Sequence, residues 1–156
     1  MEIDPKKIDY VLMKNRRDRN ALIPILQDIQ AELNWLPEEA LEIVALELGI
    51  PLIDVYGVTT FYRTFSLKPR GKHIVTVCLG TACHVRGGQR ITETISRELK
   101  INSGETTKDL KFTLETVNCL GCCAIGPIVV VDGEYYGGMT SQKALALLKR
   151  TGREEA

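Results

Sequence analysis

Four of the five cysteines stand in two tight pairs, Cys78 and Cys83 in CLGTAC and Cys119 and Cys123 in CLGCC, and the fifth, Cys122, lies inside the second pair. Thiolate is the preferred ligand of iron–sulfur clusters and of structural zinc. Two pairs this far apart along a chain form one site only if the polypeptide folds back and joins two loops. The pairing therefore bounds the fold and the chemistry together.

The chain has 156 residues, of which 44% are apolar, enough for one domain or for a compact domain with a helical appendage. Twenty basic residues balance twenty acidic ones, so no strong overall field draws nucleic acid or an anionic membrane. The best local basic stretch is RTFSLKPRGKH, 63–73. No span reaches the length needed to cross a bilayer, and the first twenty residues are charged throughout, without a signal-peptide apolar run. The expected location is cytoplasmic, with no membrane insertion. Disulfides are uncommon there, and clustered cysteines more often bind metal or do redox chemistry. An odd total of cysteines also argues against a full disulfide framework.

The first 70 residues are patterned as helices. A short helix is expected over 4–17, with Ile8, Val11 and Leu12 on one side. Asn20 is placed to cap a second, in which Leu22, Ile25, Leu26, Ile29 and Leu33 recur at helical spacing. Pro24 falls near its first turn, where a missing N–H costs least. A third starts at Pro37 and stops at Gly49; a fourth, PLIDVYGVTTFY, is expected to turn Val55, Val58 and Tyr62 inward. The aliphatic stripes are core.

After SLKPRGK the texture changes. HIVTVCL (73–79) and FTLETVN (112–118) predict strands, VRGGQRITETISRELK (85–100) a helix, and IVVVDGEYYGG (128–138) a hairpin turning at Asp132-Gly133. Residues 102–109 are turn-like. SQKALALLKR (141–150) predicts a last helix capped by Ser141 or Thr140, and the tail TGREEA is expected to fray. The expected fold class is α+β, with a helical domain over 1–70 and a small mixed sheet with flanking helices over 71–156.

On this map Cys78 ends the first strand, Cys83 lies in the loop before the helix, Cys119 ends the second strand and Cys123 lies in the loop after it. If the two strands are parallel neighbours, both loops leave the same edge of the sheet. Small residues stand between the cysteines, notably Gly80, Thr81, Ala82 and Gly121, and let backbone N–H groups approach sulfur. The spacing CxxxxC…CxxxC differs from zinc ribbons, whose pairs lie two residues apart, and from the plant-type ferredoxin run. Spacing alone leaves three readings open, namely a cluster, a zinc-stapled adaptor without redox activity, and a dithiol enzyme. The last suffers because neither pair has CxxC spacing.

CLGTAC followed by NCLGCCAIGPIVVVDGEYYG resembles the thioredoxin-like [2Fe–2S] ferredoxins, which include the 24-kDa-type subunit of respiratory NADH dehydrogenase and its counterparts in soluble NAD-linked hydrogenases and formate dehydrogenases. ALIPILQDIQAELNWLP and GIPLIDVYGVTTFYRTFSLKPRGKH are similar to the helical region of the same family, so the resemblance runs from about residue 15 to 150. It implies a thioredoxin-like second domain and one [2Fe–2S] cluster bound by Cys78, Cys83, Cys119 and Cys123. It also implies a non-catalytic electron-transfer role beside a flavin- and NAD(H)-binding subunit, with further iron–sulfur or catalytic subunits in the same NAD(P)H-linked complex. Cys122 departs from the family pattern and competes with Cys123 for the fourth position; register favours Cys123, leaving Cys122 as a small apolar spectator. The resemblance further implies a cis peptide before Pro127, although X–Pro bonds are mostly trans.

Other residues carry less. His84 adjoins Cys83, but a Rieske-type centre needs two histidines and only His73 remains. Gly87-Gly88 opens a helix without any GxGxxG or GxxxxGK pattern, so no nucleotide site is expected. Thr59 to Tyr62, with Arg63 and Phe65, serve either partner docking or internal packing, and Trp35 is core or interface.

Overall fold

Apolar side chains at three- and four-residue spacing build a first unit that runs to Arg70; a second begins at Gly71. The computed structural model describes residues 4–153. In the first unit α1 (Pro5–Lys14) follows Asp4, whose side chain accepts from the Lys6 N–H at 3.0 Å, with proline at the first helical position. A single 3₁₀ turn, Arg19–Ala21, comes next. Asp18 caps it, accepting from the Asn20 N–H at 2.9 Å, so the expected cap Asn20 lies inside the turn, and α2 (Leu22–Leu33) starts without a side-chain cap. Then come α3 (Glu38–Leu48), closed by Gly49 at φ +60°, and α4 (Leu52–Phe61). Their apolar faces bury Ile8, Leu12, Ile25, Leu26, Leu41, Val44 and Val55 completely.

One face differs from expectation. α4 turns Val55 and Thr59 inward; Val58 is half-buried, and Tyr62, beyond the helix end on extended backbone, is exposed. Apolar residues surround α4 on all sides, so periodicity does not select its buried face. Burying Thr59 is tolerable because its hydroxyl donates to the Tyr56 carbonyl at 3.0 Å. Gln30 fastens the chain after α4 back onto α2: Nε2 donates to the Thr64 carbonyl at 2.8 Å, and Oε1 accepts from the Ser66 N–H at 2.7 Å. Trp35 is half-buried, and its Nε1 has no hydrogen-bond partner among the described residues.

The second unit is a four-stranded sheet of β1 (His73–Cys78), β2 (Phe112–Val117), β3 (Val129–Val131) and β4 (Glu134–Tyr136), in the order β2-β1-β3-β4. β1 and β2 are parallel, in register from His73↔Phe112 to Cys78↔Val117; β3 runs antiparallel to β1, and β4 to β3. Asp132 and Gly133 make the two-residue hairpin turn with φ of +51° and +87°, the conformation a type I′ turn requires. Asp132 also fixes the start of β1, since Oδ1 accepts from the Ile74 N–H at 2.8 Å and Oδ2 lies 2.6 Å from Nδ1 of His73.

The helix expected over 85–100 is α6 (Gly88–Leu99), and a further short helix, α5 (Thr81–Val85), precedes it where a loop was expected, the two separated at Gly87 with φ +103°. α7 (Ser141–Thr151) is capped by Thr140, whose hydroxyl accepts from the Lys143 N–H at 3.3 Å. Val75, Leu114 and Val129 of the sheet pack with Ile91 and Ile95 of α6 and Leu147 of α7. The Gly126–Pro127 peptide is cis. Within the tail TGREEA, residues 154–156 lie outside the described residues. No helix among the described residues is long and apolar enough to cross a membrane.

Leu114, fully buried at the centre of β2, tests this packing. Truncation to alanine is expected to cost about 2–5 kcal/mol, read from the urea unfolding midpoint.

Candidate metal centre

Parallel pairing fixes where the cysteines emerge. Cys78 is the last residue of β1 and is paired with Val117, the last of β2; the Leu79 N–H then donates to the Val117 carbonyl at 2.7 Å, carrying the pairing one step past the strand. Both chains thus leave the sheet side by side. The first passes through Gly80 into α5, which carries Cys83. The second passes through Asn118 to Cys119 and enters a 3₁₀ turn, Cys123–Ile125. The loops touch through backbone: a Cβ on Gly80 would lie 2.5 Å from the Asn118 carbonyl oxygen and 3.3 Å from Cα of Cys119. A Cβ on Gly126 would lie 2.9 Å from Sγ of Cys83. Gly88 plays the same part at the start of α6, where a Cβ would come within 2.8 Å of the Cys78 carbonyl oxygen.

Three placements refine the sequence reading. Cys83 sits on a short helix rather than in a loop, Cys119 lies two residues beyond the end of β2, and Cys123 opens the 3₁₀ turn. Cys78 and Cys83 are buried, Cys119 and Cys123 are exposed, and Cys122 is intermediate.

Cys78 and Cys83 stand close enough for each to shift the other's ionisation, and Cys119 shifts that of Cys123. Burial pushes the Cys78 thiol up, but the N–H groups of Gly80 and Leu120 and the Cys83 thiol outweigh it, so Cys78 ionises below the ordinary thiol range. Cys83 is raised by burial and by Cys78, against one N–H contact from Ile128. Cys123 is raised by its hydrogen bond to Cys119 and by the charge there. The Gly121 N–H donates to Sγ of Cys119 at 3.3 Å, while the Cys122 thiol donates to the Leu120 carbonyl at 3.5 Å. Backbone N–H groups from both loops and from the start of β3 therefore point at sulfur.

The two pairs also feel each other, since charge at Cys123 raises Cys83 and charge at Cys78 raises Cys123. Among the described residues no three His, Cys, Asp or Glu side chains are grouped to hold a single metal ion. Cys78, Cys83, Cys119 and Cys123 would be the residues to hold an iron–sulfur cluster here, since thiolate is the donor such clusters take. The donor set fits such a group. His84 is exposed on α5, and His73 is at the opposite end of β1 from Cys78, roughly 16 Å away at strand rise, so the fold does not bring the histidines together.

An open cavity of about 520 Å³ adjoins the exposed pair, lined by Gly80, Thr81, Val85, Arg86, Asn118, Cys119 and Cys123 among others. Arg86 belongs to no motif in the sequence. Its only signal there is its position three residues after Cys83.

The sequence pattern of the thioredoxin-like [2Fe–2S] ferredoxins matches residues 8–152. The HndA subunit of the NADP-reducing hydrogenase of Solidesulfovibrio fructosivorans is 38% identical over 127 residues, which cover 81% of this chain and 74% of that one. A subunit of the NADH-quinone oxidoreductase of Rickettsia bellii (strain RML369-C) is 40% identical over 133 residues, 85% of this chain and 80% of that one. In fold, the chain is similar to a crystal structure of an NAD⁺-reducing [NiFe]-hydrogenase in the air-oxidized state, with a TM-score of 0.75 at 17% identity. That similarity covers 88% of this chain and 24% of the hydrogenase chain.

Gly80→Ala sets a methyl group against the backbone of the neighbouring loop, which cannot swing away as a side chain can. It is expected to lower stability by about 1–3 kcal/mol, read from the thermal midpoint, and to reduce iron uptake on reconstitution. Gly57→Ala, in open space on α4, is the control and is expected to be neutral or slightly stabilising.

Proposed function

Because the chain belongs to the thioredoxin-like [2Fe–2S] ferredoxin family, we propose that it is the electron-transfer subunit of an NAD(P)H-linked oxidoreductase complex, with Cys78, Cys83, Cys119 and Cys123 holding its one [2Fe–2S] cluster. The observation that carries this reading is the delivery of two cysteine pairs to one end of the sheet by two parallel strands. When bound, the cluster supplies one-electron redox chemistry.

The chain's own residues supply the rest. Cys78 and Cys83 anchor from the interior, where water is excluded. Cys119 and Cys123 hold from the surface, which leaves a short path to a partner. The N–H groups of Gly80, Leu120, Gly121 and Ile128 stabilise negative charge on sulfur and so favour acceptance of an electron. Cys122, already donating to the Leu120 carbonyl, is a spectator.

The relatives named above are subunits of an NADP-reducing hydrogenase and of an NADH-quinone oxidoreductase. Nicotinamides exchange hydride, two electrons at once, whereas this centre takes one. A flavin accepts both modes, so the proposed partner is a flavin- and NAD(H)-binding subunit, with further iron–sulfur or catalytic subunits beyond it, in the cytoplasm.

Chemical assay of anaerobically purified protein is expected to give about two iron and two acid-labile sulfide per chain, with an EPR signal after dithionite. Stoichiometric zinc without sulfide would overturn the reading and favour a stapled adaptor. Cys122→Ser is expected to keep the full iron content and Cys123→Ser to lose it; retention of a normal cluster in the second variant would move the fourth ligand to Cys122.

A further inference from the structure

We propose that Arg86 is a positioning residue for the cluster site, a guanidinium strap that holds the loop of the exposed cysteine pair against the helix of the buried pair. This rests on the ligand reading above. Arg86 stands immediately after α5, where its own N–H donates to the Ala82 carbonyl at 3.3 Å. Its side chain reaches across to the other loop. One nitrogen, Nη1, donates to the Cys123 carbonyl at 3.0 Å and to the Gly126 carbonyl at 3.3 Å, using its two N–H groups for two acceptors.

Those carbonyls bracket the 3₁₀ turn Cys123–Ile125, so the strap grips the segment that sets where Sγ of Cys123 stands. The two halves of the site also meet closely at this place: a Cβ on Gly126 would fall 2.9 Å from Sγ of Cys83 and 3.9 Å from Nη1 of Arg86. An exposed arginine ordinarily gains little from a single partner. Here the charge assists two hydrogen bonds to a loop thirty-seven and forty residues away in sequence. Four thiolates with two ferric ions and two sulfides carry net negative charge, and reduction adds another. A guanidinium beside the exposed pair, along the wall of its cavity, therefore favours the reduced state.

The two roles separate by substitution. Arg86→Lys keeps the charge but loses the planar fork and its reach; Arg86→Gln loses the charge. The full-length chain and both variants are reconstituted anaerobically. Iron and sulfide content, the rate of cluster loss to an excess of chelator, and the midpoint potential from EPR-monitored titration are measured for each.

The expected result is a wild-type iron and sulfide content in both variants and cluster loss roughly ten-fold faster in R86Q, as follows from losing a charge-assisted hydrogen bond. The R86Q potential is expected to be more negative. The R86K potential is expected to stay close to wild type, with cluster loss still faster than wild type. An R86Q chain that folds by circular dichroism but loads less cluster than wild type also supports the strap. Wild-type loss rate and wild-type potential in R86Q overturn it. A wild-type chain that takes up no iron and sulfide overturns the ligand reading instead.

Discussion

The parallel pairing of β1 with β2 is the constraint on which the site depends. Antiparallel neighbours would send the segments after Cys78 and Val117 to opposite ends of the sheet, and no later loop of this length would reunite the cysteines. In parallel register, the Cys78↔Val117 pair and the Leu79–Val117 hydrogen bond release both segments at one point. Parallel strands need a crossover, and α5 with α6 supplies it. The crossover itself carries Cys83, so the connection that makes the topology possible also delivers one of the candidate thiol donors.

Convergence is then completed at backbone level. Gly80 and Gly126 permit approaches that a methyl group would forbid, and the N–H groups of both loops turn toward sulfur instead of pairing in a ladder. The resulting site is asymmetric. Its inner pair is shielded by Ile128 and Val130, whereas its outer pair lies on a surface loop gripped by Arg86. Such a division suits electron exchange, since one side excludes solvent and the other keeps the distance to a donor short.

Much of this architecture is legible in the residues. The helices of the first unit follow from apolar spacing, and the hairpin from Asp132-Gly133, because local sterics decide each of them. α4 is where periodicity fails, since its apolar residues leave no polar face and packing against neighbouring helices selects Val55 and Thr59. α5 is equally invisible: five residues are too few to nucleate a helix alone, and it exists because it is docked with Cys83 buried. Asn20 does not cap α2 because Asp18 starts a 3₁₀ turn that takes Asn20 in, its carboxylate accepting from the N–H two residues on.

What the sequence determined by itself was that the five cysteines fall in two tight clusters of candidate thiolate donors, since residue identity and spacing are covalent facts. It also determined the turn chemistry, where glycine or aspartate is needed at positive φ. Only the tertiary structure decided which pair is buried, which N–H groups meet which sulfurs, and that Arg86 spans from one loop to the other. Those depend on distances between segments remote in the chain, and such distances are set by the sum of many packing contacts rather than by any local run of residues.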